Sequence, residues 1–132
     1  MLQFMLDTNI CIYVIKLVPV GLEQRFNETA EQLCVSSITL AELYFGVERS
    51  ARREENLRGL EHFLARLEVL PFSAKAAMHY GQIRAELARA GTPCGPNDML
   101  IGAHARSEGL IVVTNNVREF ARMPGLRSEN WV

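Results

Sequence analysis

The amino-acid sequence predicts an α/β fold, a parallel sheet covered by helices on both faces. Short apolar runs of strand length, at Phe4 to Leu6, Leu33 to Val35, Val69 to Phe72 and Leu110 to Val113, alternate with longer amphipathic stretches, the pattern of successive βαβ units. The clearest run, Leu110-Ile111-Val112-Val113, is apolar at every position, as in a strand buried on both faces of a parallel sheet. Several runs stop at polar residues that open helices: Asp7, Ser36-Ser37 and Thr114-Asn115-Asn116.

At 132 residues the chain has the size of one domain, spanning 1–132, with a full hydrophobic core. An apolar content of 48% and a charged content of 22% are those of a soluble globular protein. No apolar run approaches the roughly 18 residues of a membrane span, and no basic segment precedes the first one, so neither a membrane anchor nor a signal peptide is expected. Cys11, Cys34 and Cys94 are odd in number and scattered, which argues against a disulfide framework or a zinc site and points to a cytoplasmic protein. The net charge of −1 gives no support for nucleic-acid binding through bulk positive charge. Lys16 and Lys75 are nevertheless the only lysines, and the remaining arginines suit bidentate contacts to phosphate or carboxylate.

Taken in order, the Phe4 to Leu6 strand stops at Asp7, which is either a turn or cap residue or a site acid, since it falls where open α/β sheets hold their ligands, beyond the carboxyl ends of the strands. Thr8 and Asn9 are N-cap types, and a helix is expected from Ile10 to Leu17. Residues 20–30 read as a short amphipathic helix, with Leu22 and Phe26 four apart. Ser36-Ser37 cap a helix over Ile38 to Val47. Glu42 is its one charged residue within Leu40 to Val47, on a face with Thr39, Phe45 and Gly46. Residues 49–56, dense in Arg and Glu, read as a solvated helix start. Leu57, Leu60, Leu64 and Leu67 then form a stripe at 3-4-3 spacing. Together with Val14, Ile15, Leu17, Val18 and Leu22 it is either core or the wall of a groove for an amphipathic partner segment.

The third strand, Val69 to Phe72, is shortened by Pro71. Ser73 caps a helix with Ala76, Tyr80, Ile83 and Leu87 on its apolar face and Gly91 at its end. His62 and His79 have no partner at metal-ligand spacing and read as structural. After a loop over Gly91 to Pro96 comes a buried helix, Asn97 to Ala105, with Pro96 in its first turn. Asp98 sits at its start, where the helix dipole favours a carboxylate, above a lane of small residues, Gly102 and Ala105. Gly109 ends this helix before the Leu110 to Val113 strand. A short helix with Glu119 and Phe120 follows, and Leu126-Arg127 is expected as a last edge strand.

Right-handed crossovers place the ends of all the parallel strands at one edge. Asp7, Glu42, Asp98 and Glu119 can therefore converge. Convergent carboxylates repel one another and are tolerated where a hard cation neutralises them, and two such ions suit in-line phosphodiester hydrolysis. No Ser sits in a GxSxG turn, and the cysteines lie in apolar runs or a loop, so no nucleophile set competes. A phospho-receiver signalling domain has similar length and build. It needs an Asp at the end of its middle strand and a Lys after its last. Here the third strand ends Leu70-Pro71-Phe72, and no Lys follows Lys75.

With these residues in place, the sequence resembles the PIN-domain ribonucleases, and among them the VapC toxins of bacterial toxin–antitoxin pairs. The likeness lies in Asp7-Thr8-Asn9 after the first strand, Ser37-x-x-x-x-Glu42-Leu43 with Gly46, Gly95-x-x-Asp98 with Ile101-Gly102-Ala103-x-Ala105, and Val113-Thr114-x-Asn116-x-x-Glu119-Phe120. It implies a three-layer α/β/α sandwich with a parallel sheet of about five strands, and a Mg2+-dependent endoribonuclease for which Mn2+ substitutes. It implies Asp7, Glu42 and Asp98 as the metal-binding acids, with Thr114, Asn116 and Asn9 in support. Many relatives carry an acid where this chain has Asn116. Either Glu119 supplies the fourth ligand or Asn116 holds a water on the metal. The resemblance further implies a VapB-type antitoxin, a homodimer, and an RNA substrate, with the initiator tRNA anticodon loop as the expected target. A catalytically inactive PIN-like RNA-binding module is the alternative within the same fold.

Overall fold

A computed structural model describes residues 1–17 and 19–132; Val18, placed above among the apolar groove residues, lies outside them. Five strands form one sheet in the order β3-β2-β1-β4-β5, every neighbouring pair parallel. In chain order these are β1 (Phe4–Leu6), β2 (Leu33–Ser36), β3 (Glu68–Leu70), β4 (Ile111–Val113) and β5 (Ser128–Glu129). The helices between them are α1 (Thr8–Lys16), α2 (Leu22–Glu28), α3 (Ser37–Glu48), α4 (Arg53–Leu64), α5 (Ala74–Ala90), α6 (Pro96–Ser107) and α7 (Val117–Phe120). This is the α/β/α sandwich expected from the sequence. Its order also separates it from the receiver domain, whose doubly wound sheet runs 2-1-3-4-5.

Side chains alternate across each strand, so the sheet divides two apolar layers. Phe4, Leu6, Leu33, Val35 and Val113 face a cluster with residues of α1, α2, α3 and α4, among them Ile10, Val14, Phe26, Leu43, Leu60 and Phe63. Met5, Cys34 and Val112 face the other cluster, filled by Ile83 and Leu87 of α5, Met99, Ile101, Ala103 and Ala105 of α6, and Phe120 and Met123. The leucine stripe is mostly core: Leu60 is buried, and Leu57, Leu64 and Leu67 pack against the first cluster. The small lane of α6 has a steric cause, because a Cβ at Gly102 would run into the Met123 sulfur and the Leu126 side chain.

The structure corrects three local expectations. The N-cap of α1 is Asp7 itself, not Thr8 or Asn9: its Oδ1 accepts the Ile10 N–H at 2.9 Å. The third strand begins at Glu68 and ends at Leu70, because Pro71 has no N–H to continue a ladder. The edge strand is Ser128–Glu129, not Leu126-Arg127; Leu126 is spent on packing against the second cluster. No helix among the described residues is long and apolar enough to cross a membrane. The three cysteines are free and buried.

Candidate functional site

The sheet order sets where a site can form. From β1 the chain winds outward through β2 and β3, then returns to the other side of β1 to build β4 and β5. The switch point lies between β1 and β4, and the crevice beyond the strand ends there is the ligand position of open α/β sheets. Asp7 follows β1 and Thr114 follows β4. The Thr114 hydroxyl donates to Asp7 Oδ2 across the switch point, and both side chains are buried.

The other acids join by hydrogen bonds. On the second turn of α3, Glu42 accepts from Thr8 Oγ1 at 2.5 Å and from Asn97 Nδ2 at 3.0 Å. Thr8 also lies 3.4 Å from the buried Thr39 hydroxyl. Thr114 Oγ1 accepts the Asn116 N–H at 2.8 Å. Asn116 Nδ2 then forks to Glu119 Oε2 at 2.8 Å and Asp98 Oδ2 at 3.5 Å. The second oxygen of Glu119 accepts the N–H of Gly95, the N-cap residue of α6. There are thus two sets of hydrogen bonds, one through Asp7, Thr114, Asn116, Glu119 and Asp98 and one through Thr8, Glu42 and Asn97. They meet at the adjacent pairs Asp7-Thr8 and Asn97-Asp98 and so bring Asp7, Glu42, Asp98, Glu119, Thr114 and Asn116 together. Asn9 does not join with its side chain, which is exposed and makes no hydrogen bond among the described residues; its backbone amide lies near Asp7. Thr8 and Asn97, the two donors to Glu42, were not singled out by sequence as site residues. Each sits next to an acid that was, at Asp7 and Asp98, and that adjacency was their only signal.

Electrostatics reflect the crowding. Burial, then the charges of Glu119, Asp7 and Glu42, push Asp98 up to about 6. Burial also raises Asp7, with Glu42 adding to it and the Thr114 and Ile10 hydrogen bonds opposing it. Glu119 is held low by the Gly95 amide and by Asn116. Among the described residues no three His, Cys, Asp or Glu side chains already form a cluster of metal-ligand geometry; the donors just named hold the acids.

These shifts have a sign. An unfolded Asp98 releases its proton near its ordinary value, whereas the folded one keeps it to about 6. Its contribution to stability is therefore full at low pH and is lost as pH rises through that value. Asp98→Asn should raise the stability of the ion-free protein at about pH 7.5 by about 1 kcal/mol, after discounting for the half-exposed position, and the gain should vanish near pH 4. Thermal melts of both proteins in EDTA at the two pH values check this.

A model of the PIN domain matches residues 4–126, which include the acids at the switch point of this five-stranded parallel sheet. A protein of Salmonella typhimurium named tRNA(fMet)-specific endonuclease VapC is 57% identical over 131 residues, 99% of each chain. Ribonuclease VapC2 of Haemophilus influenzae is 56% identical over 132 residues, 100% of each. A solved structure of DNA-bound VapBC from Salmonella typhimurium contains a chain 57% identical to this one, with full coverage of both and a TM-score of 0.96. The chain belongs to the PIN-domain family, in its VapC branch.

Proposed function

We propose that this chain is a divalent-metal-dependent endoribonuclease, the toxin of a VapBC-type pair, acting on tRNA in the cytoplasm. The observation that carries the reading is the convergence of Asp7, Glu42, Asp98 and Glu119 beyond β1 and β4, held by two hydrogen-bonded sets that meet at Asp7-Thr8 and Asn97-Asp98. Its donor set fits a hard cation. The ligating atoms are all oxygens, and the neighbouring negative charges that, after burial, lift Asp98 are what a cation offsets. Asp7, Asp98 and Glu42 would hold Mg2+, or Mn2+ in its place. The bound ion supplies neutralisation of the carboxylates and phosphate and Lewis-acid polarisation of the scissile phosphodiester. The chain's own residues supply position. Thr114 and the Ile10 amide orient Asp7, Thr8 and Asn97 aim Glu42, and Glu119 fixes the entrance of α6 through Gly95.

Identity to the relative named tRNA(fMet)-specific endonuclease supports initiator tRNA as the substrate. Incubating the purified chain with total RNA and Mg2+, then sequencing the new ends, tests this. Cuts in the anticodon loop of initiator tRNA are expected. Cuts elsewhere would overturn the target, and no cuts at all the nuclease.

Asn116 acts as a donor and Glu119 brings the charge. Glu119→Gln should therefore weaken Mn2+ binding more than Asn116→Ala does. It removes a negative charge and sets an amide against the Asn116 amide. Calorimetric titration of both variants checks this, and the reverse order would make Asn116 the ligand.

The expected partner is a VapB-type antitoxin, supported by the VapBC neighbours. A groove of about 590 Å³ lies between α1, α3 and α4, lined by Ile12, Ile15, Leu43, Val47 and Leu60 together with Glu42. An amphipathic helix suits such a groove, and an Arg on it could pair with the site carboxylates in place of the cation. A homodimer is part of the same proposal, with exposed Phe45 and Met78 as available apolar surface.

A further inference from the structure

We infer that His104 and Ser36 form a buried strut that sets the spacing between the two acid-bearing helices, which makes both of them positioning residues for the acid site. The role rests on the nuclease reading of that site.

Ser36 is the last residue of β2 and the N-cap of α3; its Oγ accepts the Ile38 N–H at 3.1 Å. Alternation along β2 turns it, like Cys34, toward the α6 layer. There its Oγ lies 2.8 Å from Nδ1 of His104, on α6. Both side chains are fully buried. The Phe72 ring lies across the imidazole, with centroids 5.5 Å apart and planes at 76°. His104 Nε2 has no partner among the described residues.

Hydrogen-bond counting fixes the direction of the contact. If Nδ1 carried the proton, Ser36 Oγ would accept twice, and both its own hydrogen and the Nε2 lone pair would be left without partners. If Ser36 donates to Nδ1, one ring N–H is left alone. The second arrangement is the cheaper, since it leaves one buried polar group unsatisfied instead of two. His104 is therefore neutral, in agreement with burial holding it below its ordinary range. An imidazole that leaves one nitrogen unsatisfied is a poor choice for core filling alone, where an apolar side chain would leave none. What it gains is a directional bond to the corner from which α3 starts. Glu42 lies on α3 and Asp98 opens α6. The Asn97–Glu42 bond at 3.0 Å, between residues 55 positions apart, closes only if these helices keep their relative depth and rotation.

The test uses His104→Leu, Ser36→Ala, Ser36→Thr and the His104→Leu/Ser36→Ala double variant in the full chain. Folding is checked by a cooperative melt. Kcat and KM for RNA cleavage, the Mn2+ affinity without RNA, and the NMR signal of the Asn97 side-chain amide without metal are then compared. His104→Leu and Ser36→Ala should lose roughly ten- to a hundredfold in kcat, the scale of a small misplacement of reacting groups. KM should change little, Mn2+ should bind more weakly, and the Asn97 amide should move toward its free position. The double variant should be no worse than the poorer single one. Ser36→Thr keeps the hydroxyl and should behave as wild type, which a loss caused by general destabilisation would not explain. Folded His104→Leu and Ser36→Ala proteins with wild-type kcat, Mn2+ affinity and Asn97 signal would overturn the strut. Should His104→Leu fail to fold, His104→Phe, a ring without a hydrogen-bonding nitrogen, takes its place, because Ser36→Ala alone also removes the α3 cap. If the wild type cleaves no RNA, the nuclease reading fails, and the Asn97 signal still decides the strut.

Discussion

Asp7→Asn and Asp98→Asn should each reduce RNA cleavage by at least about a thousandfold, equivalent to ~4 kcal/mol of lost transition-state stabilisation, while leaving the chain folded. Asn is the informative replacement at Asp7. It caps helices as well as Asp does, so the Ile10 N–H at 2.9 Å keeps its acceptor; the charge is lost, and the Thr114 hydroxyl, now facing an NH2, turns from donor to acceptor. Asp7→Ala would also remove the α1 cap and the partner of the buried Thr114 hydroxyl, mixing a loss of stability into the result. At Asp98 the Asn variant removes a carboxyl that burial and three acidic neighbours disfavour, so activity should fall as ion-free stability rises. Single-turnover rates beside thermal melts measure both. A folded variant that cleaves within tenfold of wild type would remove that residue from the site.

The second large effect concerns the groove between α1, α3 and α4. Gly46 lies on its wall, and a Cβ there would meet nothing within 4 Å. Gly46→Trp should therefore fill the groove without disturbing the core, and the helix should gain up to about 1 kcal/mol from losing an interior glycine. The VapB-type partner should bind at least about a hundredfold more weakly, a cost of ~2.7 kcal/mol, and should no longer silence the toxin, while cleavage by the free chain persists. Calorimetric titration with a VapB-type antitoxin, and growth under co-expression, test this. Unchanged affinity would place the partner elsewhere.

The strand ends were legible in the sequence because each joins an apolar run to a polar helix-opening residue. Those junctions carry Asp7, Thr114 and the start of α3, so the acids at the sheet edge could be found with the fold. The sheet order was not legible. Neither composition nor periodicity tells whether β4 returns beside β1, and only that return places Thr114 on Asp7. The donors to Glu42 were hidden for the same reason, since Thr8 and Asn97 lie 34 and 55 residues from it in sequence. Cap and site acid read as alternatives for Asp7, yet the residue does both jobs. Its side chain holds the helix start with one oxygen and faces Thr114 with the other. His104 gave no signal, because a histidine within an apolar helix looks the same whether it fills space or directs a bond.

Cleavage of RNA as a function of free divalent ion tests the central claim most directly. The purified chain is stripped with excess EDTA, then titrated back with Mg2+ or Mn2+, with Asp7→Asn run in parallel. No cleavage in EDTA, full recovery with either ion, and none in the variant at any ion concentration is the predicted result. Cleavage that persists undiminished in excess EDTA, or that Asp7→Asn shares, would contradict it.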